Sequence, residues 1–114
     1  MLHIDTSIQP TATRLFVKGQ LDMSAVAALD EALTRAADSG GPVELDLGGV
    51  DFIDGSGLSV LMDAETRARL ASRELRIVAA SRNVRRLVDF TDTADLLSPL
   101  ASDAGDQPAP VSNA

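Results

Sequence analysis

The chain has 114 residues, 45% of them hydrophobic, which suits one globular domain and leaves no room for a second core of useful size. Its net charge of −7 argues against nucleic-acid binding, because phosphate contacts need concentrated Lys and Arg, and three phenylalanines with no Trp or Tyr leave no stacking platform for bases or sugars. The absence of cysteine rules out disulfides and thiolate chemistry and fits the cytosol, and no apolar run approaches the roughly 18 residues of a membrane span.

The N-terminal stretch MLHIDTSIQP lacks the basic-then-apolar layout of a secretory signal and reads as a first strand. HIDTSI alternates polar and apolar residues, and TRLFVKG resumes after Pro10-Thr11-Ala12, so the two predict a β-hairpin. In SAVAALDEALTRAADSGG, Ser24 is placed to cap a helix. Val26, Leu29, Ala32, Leu33 and Ala36 recur at helical spacing until Gly40-Gly41-Pro42 stops it. VELDL is an alternating strand, followed by an expected Gly48-Gly49 turn and the short apolar piece VDFI. A second helix is expected from about Gly57 to Ser72, then a strand, ELRIVAA. A third helix comes next, SRNVRRLVDF, capped by Ser81 with Val84, Leu87 and Val88 facing inward. Its Arg82, Arg85 and Arg86 make a small basic patch at most. DTADLL predicts a last helical turn, and beyond it the chain loses periodicity and gains Pro, Ala, Ser and Asp. Residues 1–98 are therefore expected to form the domain and 99–114 a disordered tail.

The order β-β-α-β-α-β-α predicts a single α/β domain. Its mixed sheet has an opening hairpin and parallel βαβ crossovers, with helices packed on it. Sites in such sheets lie at the carboxyl ends of strands. Two strand-to-helix loops, GQLDMS (Gly19–Ser24) and DGSG (Asp54–Gly57), are expected to share that edge.

DGSG is the more pointed of the two. Glycines on both sides of Ser56 permit a sharp turn and strip away bulk that would shield its hydroxyl. Ser56 then sits near a helix N-terminus, where unpartnered N–H groups and the helix dipole favour an anion. One reading makes Ser56 a helix cap, worth on the order of 1 kcal/mol, although Asp54, just ahead of it, could equally cap the second helix. The other makes it a phosphate acceptor: a phosphate would add roughly −1.5 to −2 charges beside Asp54 and Asp22 and could dislodge a docked partner without unfolding the domain. In the helix after this loop, Gly57, Leu61, Ala64, Ala68 and Ala71 form a narrow face of small residues suited to lie on the sheet. Asp63/Arg67 and Glu65/Arg69 are i,i+4 pairs turned toward water. Leu58 and Met62 are either covered by the third helix or exposed as an apolar stripe beside Ser56 that takes part in docking.

Three segments together resemble the STAS domains, above all the bacterial anti-sigma factor antagonists. VELDLGGVDFIDGSGLSVLMDA is similar to the family's strand, F-[IM]-D-[SG]-[ST]-G-L loop and helix. FVKGQLDMSAVAALDEAL resembles the family's G-E-L-D segment, with Gln20 where Glu is common. RRLVDFTDTADLL is similar to the late helix, with Asp92 where Gly is frequent. The resemblance covers about residues 2 to 100. It implies that Ser56 is the serine a partner kinase phosphorylates, with Gly55 replacing a second acceptor often found there. It also implies that Asp22, Asp54, Gly57 and Leu58 match the family's loop residues. The implied partners are an anti-sigma factor with a histidine-kinase-like ATPase fold, which the unphosphorylated antagonist binds so that a sigma factor is freed, and a PP2C-type phosphatase that resets the serine.

Rival chemistries fare less well. His3 is the sole histidine and lies in the first strand, and no G-x-S-x-G elbow is present, so a Ser-His-Asp hydrolase is disfavoured. Asp46, Asp51 and Asp54 do not form a D-x-D-x-D-G loop, and strand alternation splits them, which disfavours a metal site. A phospho-aspartate receiver would need an acidic pair after the first strand and a late lysine, and the chain has only Lys18. The expectation is a cytoplasmic, non-enzymatic, cofactor-free, phospho-switchable binding module of transcription and stress regulation. Its partner surface is Asp22, Asp54, Gly55, Ser56, Gly57, Leu58 and Met62. The alternative is a STAS subunit of a lipid-transport complex or stress-sensing assembly, a constitutive scaffold with no sigma factor to control.

Overall fold

The computed structural model describes residues 1–90 and 97–102. The hairpin forms as expected. β1 (Leu2–Ile8) pairs antiparallel with β2 (Thr13–Leu21), and the Gln9 N–H donates to the Ala12 carbonyl at 2.9 Å to close the turn. α1 (Val26–Asp38) returns the chain so that β3 (Val43–Ile53) lies parallel to β2. α2 (Gly55–Leu70) and α3 (Arg82–Phe90) each lead to a further parallel strand, β4 (Leu75–Ala80) and β5 (Leu97–Ser102). The sheet runs in the order β1-β2-β3-β4-β5, a mixed sheet with one antiparallel edge.

Its core is aliphatic. Leu15, Val17 and Leu21 of β2, Leu45, Leu47 and Val50 of β3, and Ile77 of β4 are buried against Leu29 and Leu33 of α1, Leu58 and Leu61 of α2, and Val84 and Val88 of α3. On β2, β3 and β4 three charged residues stand in register. Glu44 accepts from Arg14 at 2.8 Å through one oxygen and from Arg76 at 3.0 Å through the other. Cross-strand pairs of opposite charge help to hold that register.

Four details differ from the sequence expectation. Gly48-Gly49 is not a turn but the middle of an eleven-residue strand. The register between Phe16↔Asp46 and Lys18↔Gly49 slips by one residue there, and the Asp46 carboxylate accepts from the Gly48 N–H at 2.9 Å. A bulge of this kind favours glycine, and a Cβ on Gly49 would sit 2.7 Å from the Lys18 side chain. The tail assigned to 99–114 overlaps β5, whose Leu-Ser-Pro-Leu-Ala-Ser composition hides a strand; its proline is tolerated because the strand lies at a sheet edge. The remainder of that tail lies outside the described residues. So does the helical turn expected at DTADLL, apart from Leu97, which opens β5.

α2 also departs at its far end. Gly57, Leu61 and Ala64 are buried as the small-residue face requires, but Ala68 is half-buried and Ala71 exposed, so the helix lifts away from the sheet. Ser72 then ends it in the left-handed region, at φ 57°, where glycine is the usual residue. Of the two i,i+4 pairs, Glu65–Arg69 forms at 3.0 Å, whereas Arg67 leaves Asp63 and reaches Asp30 of α1 at 2.9 Å. No helix among the described residues is long and apolar enough to cross a membrane.

Candidate functional site

Because β2 and β3 are parallel neighbours, their carboxyl ends coincide. Leu21 is in register with Ile53, and the Asp54 N–H donates to the Leu21 carbonyl at 3.3 Å. The loops at Asp22–Ala25 and Asp54–Gly57 therefore lie side by side at one sheet edge, as the topology rule requires. Gly57 seals the seam. A Cβ there would stand 2.3 Å from the Leu21 carbonyl oxygen and 2.9 Å from its Cβ, so only glycine lets α2 begin this close to the end of β2.

Asp54 caps α2. Its backbone is extended, at φ −121° and ψ −173°, and one carboxylate oxygen accepts from the Ser56 N–H at 2.9 Å and the Gly57 N–H at 3.1 Å. These N–H groups are among those a helix start leaves without partners. The same oxygen accepts from the Ser56 hydroxyl at 2.5 Å. That hydroxyl, followed by the Gly57 and Ser56 N–H groups, holds the Asp54 carboxyl below its ordinary value of 3.8, so it is ionised at neutral pH. Ser56 is thus not the cap. It stands inside the first turn, half-buried, with its hydroxyl oriented by the residue that is the cap.

The flanking glycines have different roles. Neither adopts a positive φ, so the sharp-turn argument does not apply to either. Gly57 is fixed by its contact with Leu21, while a Cβ on Gly55 would meet nothing within 4 Å. Gly55 is exposed and adds no side chain beside Ser56.

The neighbouring loop repeats the motif. One Asp22 carboxylate oxygen accepts from the Ser24 N–H at 3.0 Å and from the Ser24 hydroxyl at 2.5 Å. This cap serves a single 3-10 turn, Met23–Ala25, ahead of α1, whose own N-terminal position is occupied by Ala25 with no side-chain cap. Ser24 is therefore the capped residue and not the cap. By contrast Ser81 does cap α3, its hydroxyl accepting from the Val84 N–H at 3.3 Å.

The apolar stripe divides. Leu58 is 5% exposed and belongs to the core, where it anchors the first turn of α2, while Met62 is 40% exposed. Sequence reasoning missed two other apolar side chains on the same loops and their approaches. Met23 is 76% exposed beside Asp22, and Phe52 is 47% exposed two residues before Asp54. Strand alternation was the available signal for Phe52, since Ile53 points inward; Met23 became legible only with the 3-10 turn. His3 lies on β1 with its Nε2 3.2 Å from Asp5, paired there rather than with Ser56. Asp46 and Asp54 each spend a carboxylate oxygen on backbone N–H groups of their own bends.

A family model described as "Mlab, STAS domain" matches residues 4–98. The chain belongs to the STAS family. Among curated proteins, an anti-sigma-B factor antagonist of Staphylococcus aureus is 29% identical over 97 residues, covering 84% of this chain and 90% of the relative. Among solved structures, an anti-sigma factor antagonist from Mycobacterium paratuberculosis superposes with a TM-score of 0.75 at 19% identity, over 85% of this chain and 83% of that one. The antagonist SpoIIAA does so in its unphosphorylated form (TM-score 0.70, 15% identity, covering 84% and 86%). The Bacillus cell fate determinant SpoIIAA in its phosphorylated form also aligns (TM-score 0.66, 14% identity, covering 84% and 89%). The likeness to these structures is one of fold: the hairpin, the parallel crossovers and the helices form a STAS domain whose two aspartate-capped loops share the carboxyl edge of the sheet.

Proposed function

We propose that this STAS domain is an anti-sigma factor antagonist whose partner binding is switched by phosphorylation of Ser56. The observation that carries the reading is the Ser56 hydroxyl, held at 2.5 Å by an ionised Asp54 behind an open, exposed Gly55. The names of the curated and structural relatives point the same way.

In the unphosphorylated state the edge formed by Asp22, Asp54, Gly55, Ser56 and Gly57, with Met62 beside it, binds an anti-sigma factor with a histidine-kinase-like ATPase fold, and a sigma factor is freed. Leu58 contributes from the core by fixing the loop. In the reverse step the γ-phosphoryl of ATP passes to the Ser56 oxygen, which loses its proton, and ADP leaves. The product carries a phosphate next to Asp54, which loses the hydroxyl hydrogen bond it accepted. Exposed charges interact weakly and are screened by salt, so repulsion from Asp54 and Asp22 is the smaller part of the effect. The larger part is the penalty for burying phosphate oxygens in a close interface. The fold survives, because an anion near the start of α2 suits the helix dipole. A PP2C-type phosphatase closes the cycle in the cytoplasm. The domain supplies the acceptor and performs no catalysis.

The test is a capture experiment from native-host lysate with wild type, Ser56→Ala and Ser56→Asp as bait. An ATPase-fold serine kinase retained by wild type and Ser56→Ala, and lost by a folded Ser56→Asp, supports the switch. A membrane-transporter ATPase subunit retained equally by all three would overturn it in favour of a constitutive scaffold in a lipid-transport complex, the role of other STAS domains.

A further inference from the structure

At the opposite end of the sheet the lifting of α2 leaves a cavity. Near their middles α1 and α2 close on the sheet through Leu29, Leu33, Leu61 and Ala64, all buried. Toward their C-terminal ends Ala37, Ala68 and Ala71 are among the residues that line the gap and are too small to fill it, with Thr34, Asp38 and Arg67 around them. The floor is Val43 and Leu75, which are in register on β3 and β4. Leu75, a large apolar residue in a central strand, stays only half-buried as a result. The space is a cleft of about 220 Å³, open to solvent along its rim, where Thr34, Asp38, Ala71 and Glu74 are exposed.

Two arginines keep this space framed. Arg67 crosses from α2 to Asp30 of α1 at 2.9 Å. Arg73, just past the left-handed Ser72, donates to the Ala37 carbonyl near the end of α1. Packed interiors ordinarily leave few voids larger than a water molecule. An enclosed apolar void of about 150 Å³ in another protein takes benzene; this cleft is larger and opens to solvent, with an apolar floor and a charged rim. Its charged lining residues, Asp38 and Glu74 against Arg67 and Arg73, sum to zero, so the mouth selects no net charge.

We infer that the cavity between the C-terminal halves of α1 and α2 is a binding site for a compact, uncharged, mostly apolar molecule of one or two rings. The ligand's body replaces the side-chain volume that Ala37, Ala68 and Ala71 withhold, and it covers Val43 and Leu75. The site is separate from the Ser56 edge and does not depend on the switch reading.

Indole is a suitable probe, being uncharged, bicyclic and soluble to millimolar levels. Titrated into the isotope-labelled full chain and followed by amide NMR, it should produce saturable shifts centred on Leu33, Ala37, Ala64, Ala68 and Leu75. Ala68→Leu fills the cavity and should abolish them while the melting temperature holds or rises. Ala71→Leu, at the exposed rim, serves the same purpose if Ala68→Leu does not fold. No saturable shift in wild type, or the same shifts in a folded filled variant, overturns the proposal.

Discussion

The two Asp-x-Ser loops at the sheet edge are near copies in local chemistry and unequal in setting. In both, one carboxylate oxygen takes the serine N–H and hydroxyl, with hydroxyl distances of 2.5 Å in each. They differ in the element each loop starts and in the residue between Asp and Ser. Asp54 also takes the Gly57 N–H and starts a sixteen-residue helix that rests on the Leu21 carbonyl, with an open glycine between Asp and Ser. Asp22 starts one 3-10 turn, and the residue in between is an exposed methionine. A serine becomes a switch candidate through the tertiary frame around it, not through the short motif alone.

That contrast is most sharply broken at Gly57. Gly57→Ala forces a methyl against the backbone carbonyl of Leu21, and should destabilise the domain by about 1–3 kcal/mol or more in denaturant unfolding. Gly55→Ala, with open space in front of it, should leave stability unchanged or slightly raised, since alanine suits a helix better than glycine. Comparable losses at the two positions would mean that α2 does not rest on β2 as described.

The next largest effect separates the two caps. Asp54→Ala should lower the melting temperature by several degrees, because three hydrogen bonds at the head of a long helix are lost, while Asp22→Ala should cost less. Asp54→Asn keeps an acceptor and should melt near wild type at neutral pH. The acid limb then distinguishes them. The folded Asp54 carboxyl titrates below its ordinary 3.8, so its contribution is present above that value and is lost as pH falls through the lower folded value. Wild type should therefore lose more stability than Asp54→Asn as the pH is lowered below the ordinary value of 3.8, and parallel curves would contradict the cap.

The smallest effect concerns Ser72. Its φ of 57° is one that glycine adopts freely, so Ser72→Gly should be neutral to stabilising by up to about 1 kcal/mol in thermal or denaturant melts.

Much of this was legible in the sequence, for physical reasons that also mark where legibility ends. The hairpin, the three helices and the parallel order followed from periods of 2 and 3.6 and from the stops at Gly40-Gly41-Pro42. Asp54 and Asp22 were placed at strand ends, but which residue capped each element turned on a two-residue offset that spacing does not resolve. Leu58 and Met62 are four apart on α2, and only the packing of the helices sends one into the core and leaves the other 40% exposed. Gly48-Gly49 imitates a turn because bulges and turns both favour glycine. The register slip against β2 decides between them. β5 escaped because an edge strand tolerates Pro and Ser that a central strand would reject.

The most direct test of the central claim is phosphosite mapping by intact-mass and peptide mass spectrometry, after incubating wild type and Ser56→Ala with ATP and native-host lysate. A single phosphate on wild type at Ser56, none on Ser56→Ala and none at Ser24 is the predicted result. No phosphate on wild type, or equal labelling of the Ser56→Ala variant, would contradict it.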